Sequence, residues 1–164
     1  MRDYKFRGRR KDNGEWVYGY LAFIYVSGRD ASGFVYTDTA KIYSQDDCRS
    51  YDVLASTVGE FTGLKDKNGV EIYEGDVVKV GTWRVDDETG EEHFDPIEEC
   101  RSCYVVEWGG GHGYPAFDLK PNIRWSECND LSYIACAEEA QCQVIGNIHD
   151  NPELARTALG GDES

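Results

Sequence analysis

The chain has little of what usually announces an enzyme. Among its 164 residues there is no G-x-x-x-x-G-K-[ST] loop to cradle phosphates, no H-E-x-x-H zinc helix and no G-x-S-x-G nucleophile elbow. Its three histidines, His93, His112 and His149, pair in sequence with no nucleophile. It also lacks any apolar run of eighteen residues, which excludes a membrane-spanning helix of ordinary length. The start, MRDYKFRGRRK, is charged but has no apolar stretch behind it, so no signal peptide is expected and a cytoplasmic setting is anticipated. Positive charge is scarce: 17 basic residues face 31 acidic ones, a formal net charge of -14. Duplex nucleic acid, whose binding needs a broad basic face, is disfavoured as a partner.

What the chain does have is apolar and aromatic. Hydrophobic residues reach 40% and aromatic ones 13%, a composition that folds and that leans towards strands. Trp16 to Val26 (WVYGYLAFIYV) is a long β candidate, and Asp12-Asn13-Gly14 before it is a turn signal, which predicts a hairpin between Tyr4–Arg9 and Trp16–Val26. Shorter strands are expected at Phe34–Thr37, Lys41–Tyr43 and Tyr51–Leu54. Asp66-Lys67-Asn68-Gly69 is a tight-turn sequence, and Gly75-Asp76 marks entry into a strand at Val77–Val80. Tyr104–Trp108, a glycine turn, a further apolar run and a closing strand at Gln143–Ile148 give the rhythm of a small, strongly bent barrel of SH3-like type. Asp150 is placed to cap a short helix over Asn151–Arg156. The expected architecture is therefore all-β: a β-rich part over 1–60, an SH3-like barrel over 61–150 with an acidic insertion around 86–103, and a short helix with a mobile tail over 151–164.

The charge is unevenly spread. Arg2, Lys5, Arg7, Arg9, Arg10 and Lys11 crowd the first eleven residues. Asp86, Asp87, Glu88, Glu91, Glu92, Asp95, Glu98 and Glu99 fall within fourteen residues that hold no Lys or Arg. That acidic run reads as a solvated, partly disordered loop, or as a surface that imitates a nucleic-acid backbone. Of six cysteines, Cys100 and Cys103 form one C-x-x-C, but His93, His112, Cys136 and Cys142 give no regular second half of a zinc site. Free thiols, no metal and no cofactor are expected.

Two places suit a ligand. In Gly109–Gly113 (GGGHG), between Tyr104–Trp108 and Tyr114–Phe117, the glycines fit a hairpin loop; the alternative is an anion-binding concavity rimmed by Trp108, His112 and Tyr114. On the opening hairpin, Arg7, Arg9 and Arg10 offer guanidinium groups, with Trp16 or Tyr18 as a stacking face.

Several pieces in order, Lys5-Phe6-Arg7, Val17-Tyr18-Gly19, Val58 to Gly69 (VGEFTGLKDKNG), Ile72 to Asp76 (IYEGD), Val105 to Trp108 (VVEW) and Val144 to Leu154, resemble the YopX family, proteins found mainly in bacteriophages and prophages. The resemblance implies an all-β protein with an SH3-like C-terminal part and a tendency to oligomerise. It implies no catalytic residues. The acidic insertion and Asn122–Cys142 depart from the family pattern. Taken together, these readings lead to a non-catalytic binding protein that captures a small anionic, nucleotide-like signal of host immunity. The alternative is an acidic, DNA-mimicking module that inhibits a host protein.

Overall fold

A computed structural model describes residues 4–25, 39–85, 89–95, 97, 102–109, 116–121, 129–136 and 142–160. The strand expected at Phe34–Thr37 lies outside them. The chain divides into two units, Met1–Phe61 and Thr62–Ser164.

In the first unit, β1 (Phe6–Arg9) and β2 (Trp16–Tyr25) form the anticipated hairpin. Its turn closes through the Gly14 amide, which donates to the Arg10 carbonyl at 3.0 Å, with Gly14 at a positive φ of 75°. β3 (Thr39–Ser44) pairs antiparallel with β2, and β4 (Ser50–Val53) with β3. One turn of 3-10 helix at Ala55–Thr57 then leads into β5 (Gly59–Lys65), whose Gly59 and Glu60 pair with Arg7 and Phe6. The strand order β4-β3-β2-β1-β5 places β1 in the interior of the sheet, although it comes first in the chain.

Alternation sorts the two faces. Val17, Ala40, Ile42 and Val53 are buried together, with Phe6, Leu21 and Tyr51 packed against them. Gly8 sits on this face because a Cβ there would meet the Val53 side chain at 2.9 Å. Each fully buried valine or isoleucine contributes roughly 1.5–3 kcal/mol, so this small core fixes the register: a slip of one residue would turn all of it to solvent.

In the second unit, β6 (Glu71–Tyr73) pairs with the end of β5 around the Asp66–Gly69 turn. β7 (Asp76–Val80) lies between β10 (Cys103–Trp108) and β12 (Cys142–Asn147), and β11 (Phe117–Lys120) pairs with β10, giving the order β11-β10-β7-β12. β8 (Thr82–Val85) and β9 (Glu92–Asp95) form a separate two-stranded hairpin. Among the described residues the unit also holds two seven-residue helices, α1 (Asp130–Cys136) and α2 (Pro152–Ala158).

The four-stranded sheet is buried on both faces. On one, Val78, Val80, Tyr104, Val106, Leu119 and Cys142 pack with Leu131 and Ile134 of α1. On the other, Val77, Cys103 and Val105 pack with Ala155 and Ala158 of α2. This explains why Val77-Val78 and Tyr104-Val105-Val106 carry apolar side chains at successive positions: strands covered on both sides need them on both sides. The all-β expectation is met. The SH3-like detail is not confirmed: the pairings among the described strands give a four-stranded sheet in the order β11-β10-β7-β12 with a helix packed on each face. Three further differences follow from local chemistry. The acidic run is not a loop throughout, since Glu92 and Asp95 belong to β9 and Ile97 is buried. Asp150 does not cap α2; Asn151 precedes the helix, and Asp150 instead accepts from the Asn147 side-chain amide at 2.7 Å. α1 was not anticipated from the sequence.

Tight turns lock this unit. The Asp66 carboxylate accepts the amides of Asn68 and Val70 at 2.8 and 2.9 Å through Oδ1. Asp76, almost wholly buried, accepts the Tyr73 amide at 2.8 Å. Gly75, at φ 81°, donates to the Val106 carbonyl and accepts from Ile148. The carboxylate at the Gly75-Asp76 strand entry thus holds a turn together.

Candidate functional site

The β1–β2 register sets Arg7 opposite Tyr18 and Arg9 opposite Trp16, all on the sheet face away from the Val17–Ile42 core. The Arg7 guanidinium carbon lies 5.0 Å from the centre of the Trp16 ring and that of Arg9 5.6 Å, so one indole takes two cations. The Lys5 ammonium stands 6.0 Å from the Tyr18 ring. Arg7 is buried, whereas Arg9 and Trp16 are half-buried and Tyr18 is 39% exposed. The Arg9 amide donates to Thr57 Oγ1 at 2.9 Å, which fixes the strand beneath these side chains. Cations over an indole face combine positive charge with a flat apolar surface, the two properties that recognise an anion carrying an aromatic ring.

Arg10 is placed elsewhere. One position past the end of β1, it belongs to the opposite face, with its guanidinium 4.1 Å from the Tyr51 ring. Its Nε and Nη2 donate to the Asp12 carboxylate at 3.0 and 2.5 Å, and Glu15 lies 3.8 Å away. The fork raises the Arg10 pKa and holds the Asp12 carboxyl below its ordinary range. Tyr51 in turn donates to Asp47, which lowers the carboxyl of Asp47 and raises the phenol of Tyr51. This group ties the β1–β2 turn to β4.

The outer face continues past the residues singled out in the sequence. Tyr20 lies opposite Tyr43 of β3, each 44% exposed, and Lys41 pairs with Asp52 of β4 at 2.9 Å. The signal for Tyr20 was the alternation in WVYGY; that for Tyr43 required knowing which strand lies beside β2.

Trp108 belongs to the second unit, 49% exposed, its ring meeting Phe117 edge-on with centroids 4.9 Å apart. Trp108 pairs with Phe117, and the Gly109 amide donates to the Ala116 carbonyl at 2.7 Å; the rest of the glycine segment, 110–113, lies outside the described residues. His112 and Tyr114 lie outside the described residues, as does Cys100. Cys103 and Cys142 project to opposite faces of the four-stranded sheet. The Cys103 thiol donates to the Leu154 carbonyl at 3.6 Å, and burial pushes its pKa up. The Cys142 thiol is pushed up to about 12, by burial first and then by the charges of Asp66 and Asp76. Among the described residues no three His, Cys, Asp or Glu side chains converge as a metal site would require, and no helix is long and apolar enough to cross a membrane.

Charge separates by unit. Residues 1–61 hold nine basic and nine acidic residues; residues 62–164 hold eight basic and twenty-two acidic, so the second unit carries the whole net charge of -14.

These features describe an all-β protein of two units whose first sheet presents cations and aromatic rings on one face. The chain belongs to the YopX family: the model of the YopX protein matches residues 5–155, nearly its full length. Among solved structures it is similar to protein EF1440 from Enterococcus faecalis, at 24% identity over 94% of this chain and 99% of that one, with a TM-score of 0.45. Among curated proteins none matches.

Proposed function

We propose that this YopX-family chain is a non-catalytic binding protein of phage type that captures a small anionic ligand bearing an aromatic ring, such as a nucleotide signal of host immunity. The carrying observation is that Arg7 and Arg9 both lie against the Trp16 ring, with Tyr18 beside it. A base stacks on the exposed part of such a surface while phosphate takes the positive charge of Arg9. Capture needs no general base or nucleophile. In this reading the protein works as an oligomer in the bacterial host cell, each copy offering the same site.

Native mass spectrometry after incubation with a nucleotide mixture tests it. The expected result is a discrete added mass that heat releases as an intact nucleotide, with affinity reduced at least tenfold by Trp16→Ala and by Arg9→Ala. Release of cleaved products overturns the non-catalytic reading, and a chain that takes up no nucleotide overturns capture itself.

A second reading, an acidic module that blocks a host protein, is favoured by the concentration of all net charge in residues 62–164. Neutralising several of Asp86 to Glu99 should then weaken a host partner in a salt-dependent way; binding that ignores both changes rejects it.

A further inference from the structure

Two Asn-Gly pairs lie in described turns, Asn13-Gly14 between β1 and β2 and Asn68-Gly69 between β5 and β6. Asparagine before glycine is chemically labile, because no Cβ shields the following amide nitrogen from the side-chain carbonyl carbon. In backbone terms the two pairs match. All four residues are exposed, and each glycine has a positive φ, 75° and 81°, with open space where a Cβ would stand. Each glycine amide donates to a turn carbonyl, Gly14 to Arg10 at 3.0 Å and Gly69 to Asp66 at 2.9 Å. The asparagine side chains do not match. Glu15 holds Asn13 at both ends: Asn13 Oδ1 accepts the Glu15 amide at 3.0 Å, and its Nδ2 donates to Glu15 Oε2 at 2.6 Å. The Asn68 backbone amide donates to Asp66 Oδ1, but among the described residues no hydrogen bond holds its side-chain amide.

We infer that Asn68 is a site of spontaneous modification, deamidating to isoaspartate, and that this product loosens the hold of Asp66 on β12. The only co-reactant is water. The Gly69 nitrogen, giving its proton to solvent base, attacks Asn68 Cγ; the Cγ–Nδ2 bond breaks and the nitrogen leaves as ammonia, giving a cyclic imide. Water then opens the imide. Cleavage of the new bond to Cγ yields aspartate on a normal backbone, whereas cleavage at the α-carbonyl leaves the main chain running through Cβ and Cγ, as isoaspartate. Nothing is oxidised or reduced. Ring closure swings Cγ onto the glycine nitrogen, which costs Asn13 both of its bonds to Glu15 and costs the Asn68 side chain none. Isoaspartate adds one main-chain atom between residue 68 and Gly69. Three bonds span that atom: Gly69 amide to Asp66 carbonyl, Val70 amide to Asp66 Oδ1 at 2.9 Å, and Asp66 amide to Val70 carbonyl at 2.8 Å. The same Asp66 carboxylate accepts the Val144 amide of β12 at 3.0 Å, so a turn that no longer fits Oδ1 also displaces Oδ2. The inference is independent of ligand capture, which uses the first unit.

Incubation of the full chain at pH 8 and 37 °C, folded or in urea, followed by peptide mapping with electron-transfer fragmentation, tests this. In urea the two asparagines should convert at similar rates; in the folded chain Asn68 should convert about fivefold faster than Asn13, or more. Anion exchange isolates the isoaspartate form. Its Val144 amide should exchange hydrogen about tenfold faster than in the native chain, whereas the Asn68→Asp variant, with the same added charge on an unaltered backbone, should keep native protection. Folded Asn13 converting as fast as folded Asn68, or Asn68 staying intact when folded while it converts in urea, overturns the modification site. An isoaspartate form with native protection at Val144 overturns the loosening of β12, and an Asn68→Asp variant as fast as the isoaspartate form shows that charge, not the added atom, is responsible.

Discussion

Asp66 and Val144 are separated by 78 residues, yet the Val144 amide donates to Asp66 Oδ2 at 3.0 Å. One buried carboxylate therefore shapes the Asp66–Gly69 turn through Oδ1 and anchors β12 through Oδ2. The Lys67 amide adds a bond to the Cys142 carbonyl at 2.9 Å, so the turn and the last strand are stitched at two points.

Asp66→Ala leaves three backbone amides without their acceptor in a buried setting. Hydrogen bonds to a charged group are worth more than neutral ones, so the substitution is expected to lower stability by roughly 2–4 kcal/mol. Urea denaturation followed by tryptophan fluorescence reads this as a lower midpoint. A midpoint unchanged within error would mean that the Asp66 clamp is not what holds β12.

Gly19 and Gly63 should respond differently to alanine. A Cβ at Gly19 would lie 2.0 Å from the Tyr43 carbonyl oxygen, an overlap with backbone that no rotamer relieves, so Gly19→Ala should cost about 3 kcal/mol by forcing β2 and β3 apart. Gly63, at φ 88°, has open space around it, and Gly63→Ala should cost only about 1 kcal/mol, from the left-handed backbone. Equal losses in thermal denaturation would contradict the close approach of β2 to β3.

The thiols should sort by burial. At pH 8, iodoacetamide labelling with peptide mapping should modify exposed Cys48 while Cys103 and Cys142 react only after unfolding. The sign for pH follows. Below its ordinary value near 9.0 the Cys142 thiol keeps its proton folded or unfolded, and its contribution is fully present. Between 9.0 and about 12 the unfolded chain releases that proton and the folded one does not, so stability falls as pH rises. At pH 10.5 the loss reaches at most about 2 kcal/mol. Urea titrations at pH 8 and 10.5 should show it in the native chain and a smaller loss in Cys142→Ala.

Asn129 holds the start of α1. Its Oδ1 accepts the Ser132 amide at 2.7 Å and its Nδ2 donates to the Phe117 carbonyl at 2.6 Å, while buried Asp118 accepts the Leu131 amide at 3.1 Å. Asn129→Ala should cost roughly 1–2 kcal/mol, and Asn129→Asp, which keeps the cap acceptor but loses the donor, should cost less. Hydrogen exchange of the α1 amides would report both; protection unaltered in Asn129→Ala would show that packing of Leu131 and Ile134 suffices.

Where alternation and turn chemistry coincide, the sequence was easy to read. Asp12-Asn13-Gly14 and the aromatic run after it located β1 and β2, and Asn68-Gly69 located the β5–β6 turn. α1 escaped because seven residues span about two turns, too few to display a helical period, even though Leu131 and Ile134 are buried in the core. Its cap, Asn129 followed by Asp130, was the available signal. The same shortage of signal left the second half read as strands alone: without α1, nothing in the sequence announces that helices cover its sheet. Arg7 and Arg9 could be matched with Trp16 because hairpin register follows from the turn, whereas Tyr43 joins the face through a pairing with β2 that follows a connection at residues 26–38.

The interior position of β1 has a consequence during synthesis. Arg7 leaves the ribosome 52 residues ahead of Gly59, its partner in β5. At typical elongation rates of about 5–20 residues per second, one edge of β1 waits roughly 3–10 s for the strand that covers it. Through that interval the nascent β1–β2 hairpin presents an unpaired backbone ladder, a template for pairing with a neighbouring chain on the same polysome. The row of charged side chains at Lys5, Arg7 and Arg9 lies along that edge, and like charges on two nascent copies keep them apart until β5 arrives.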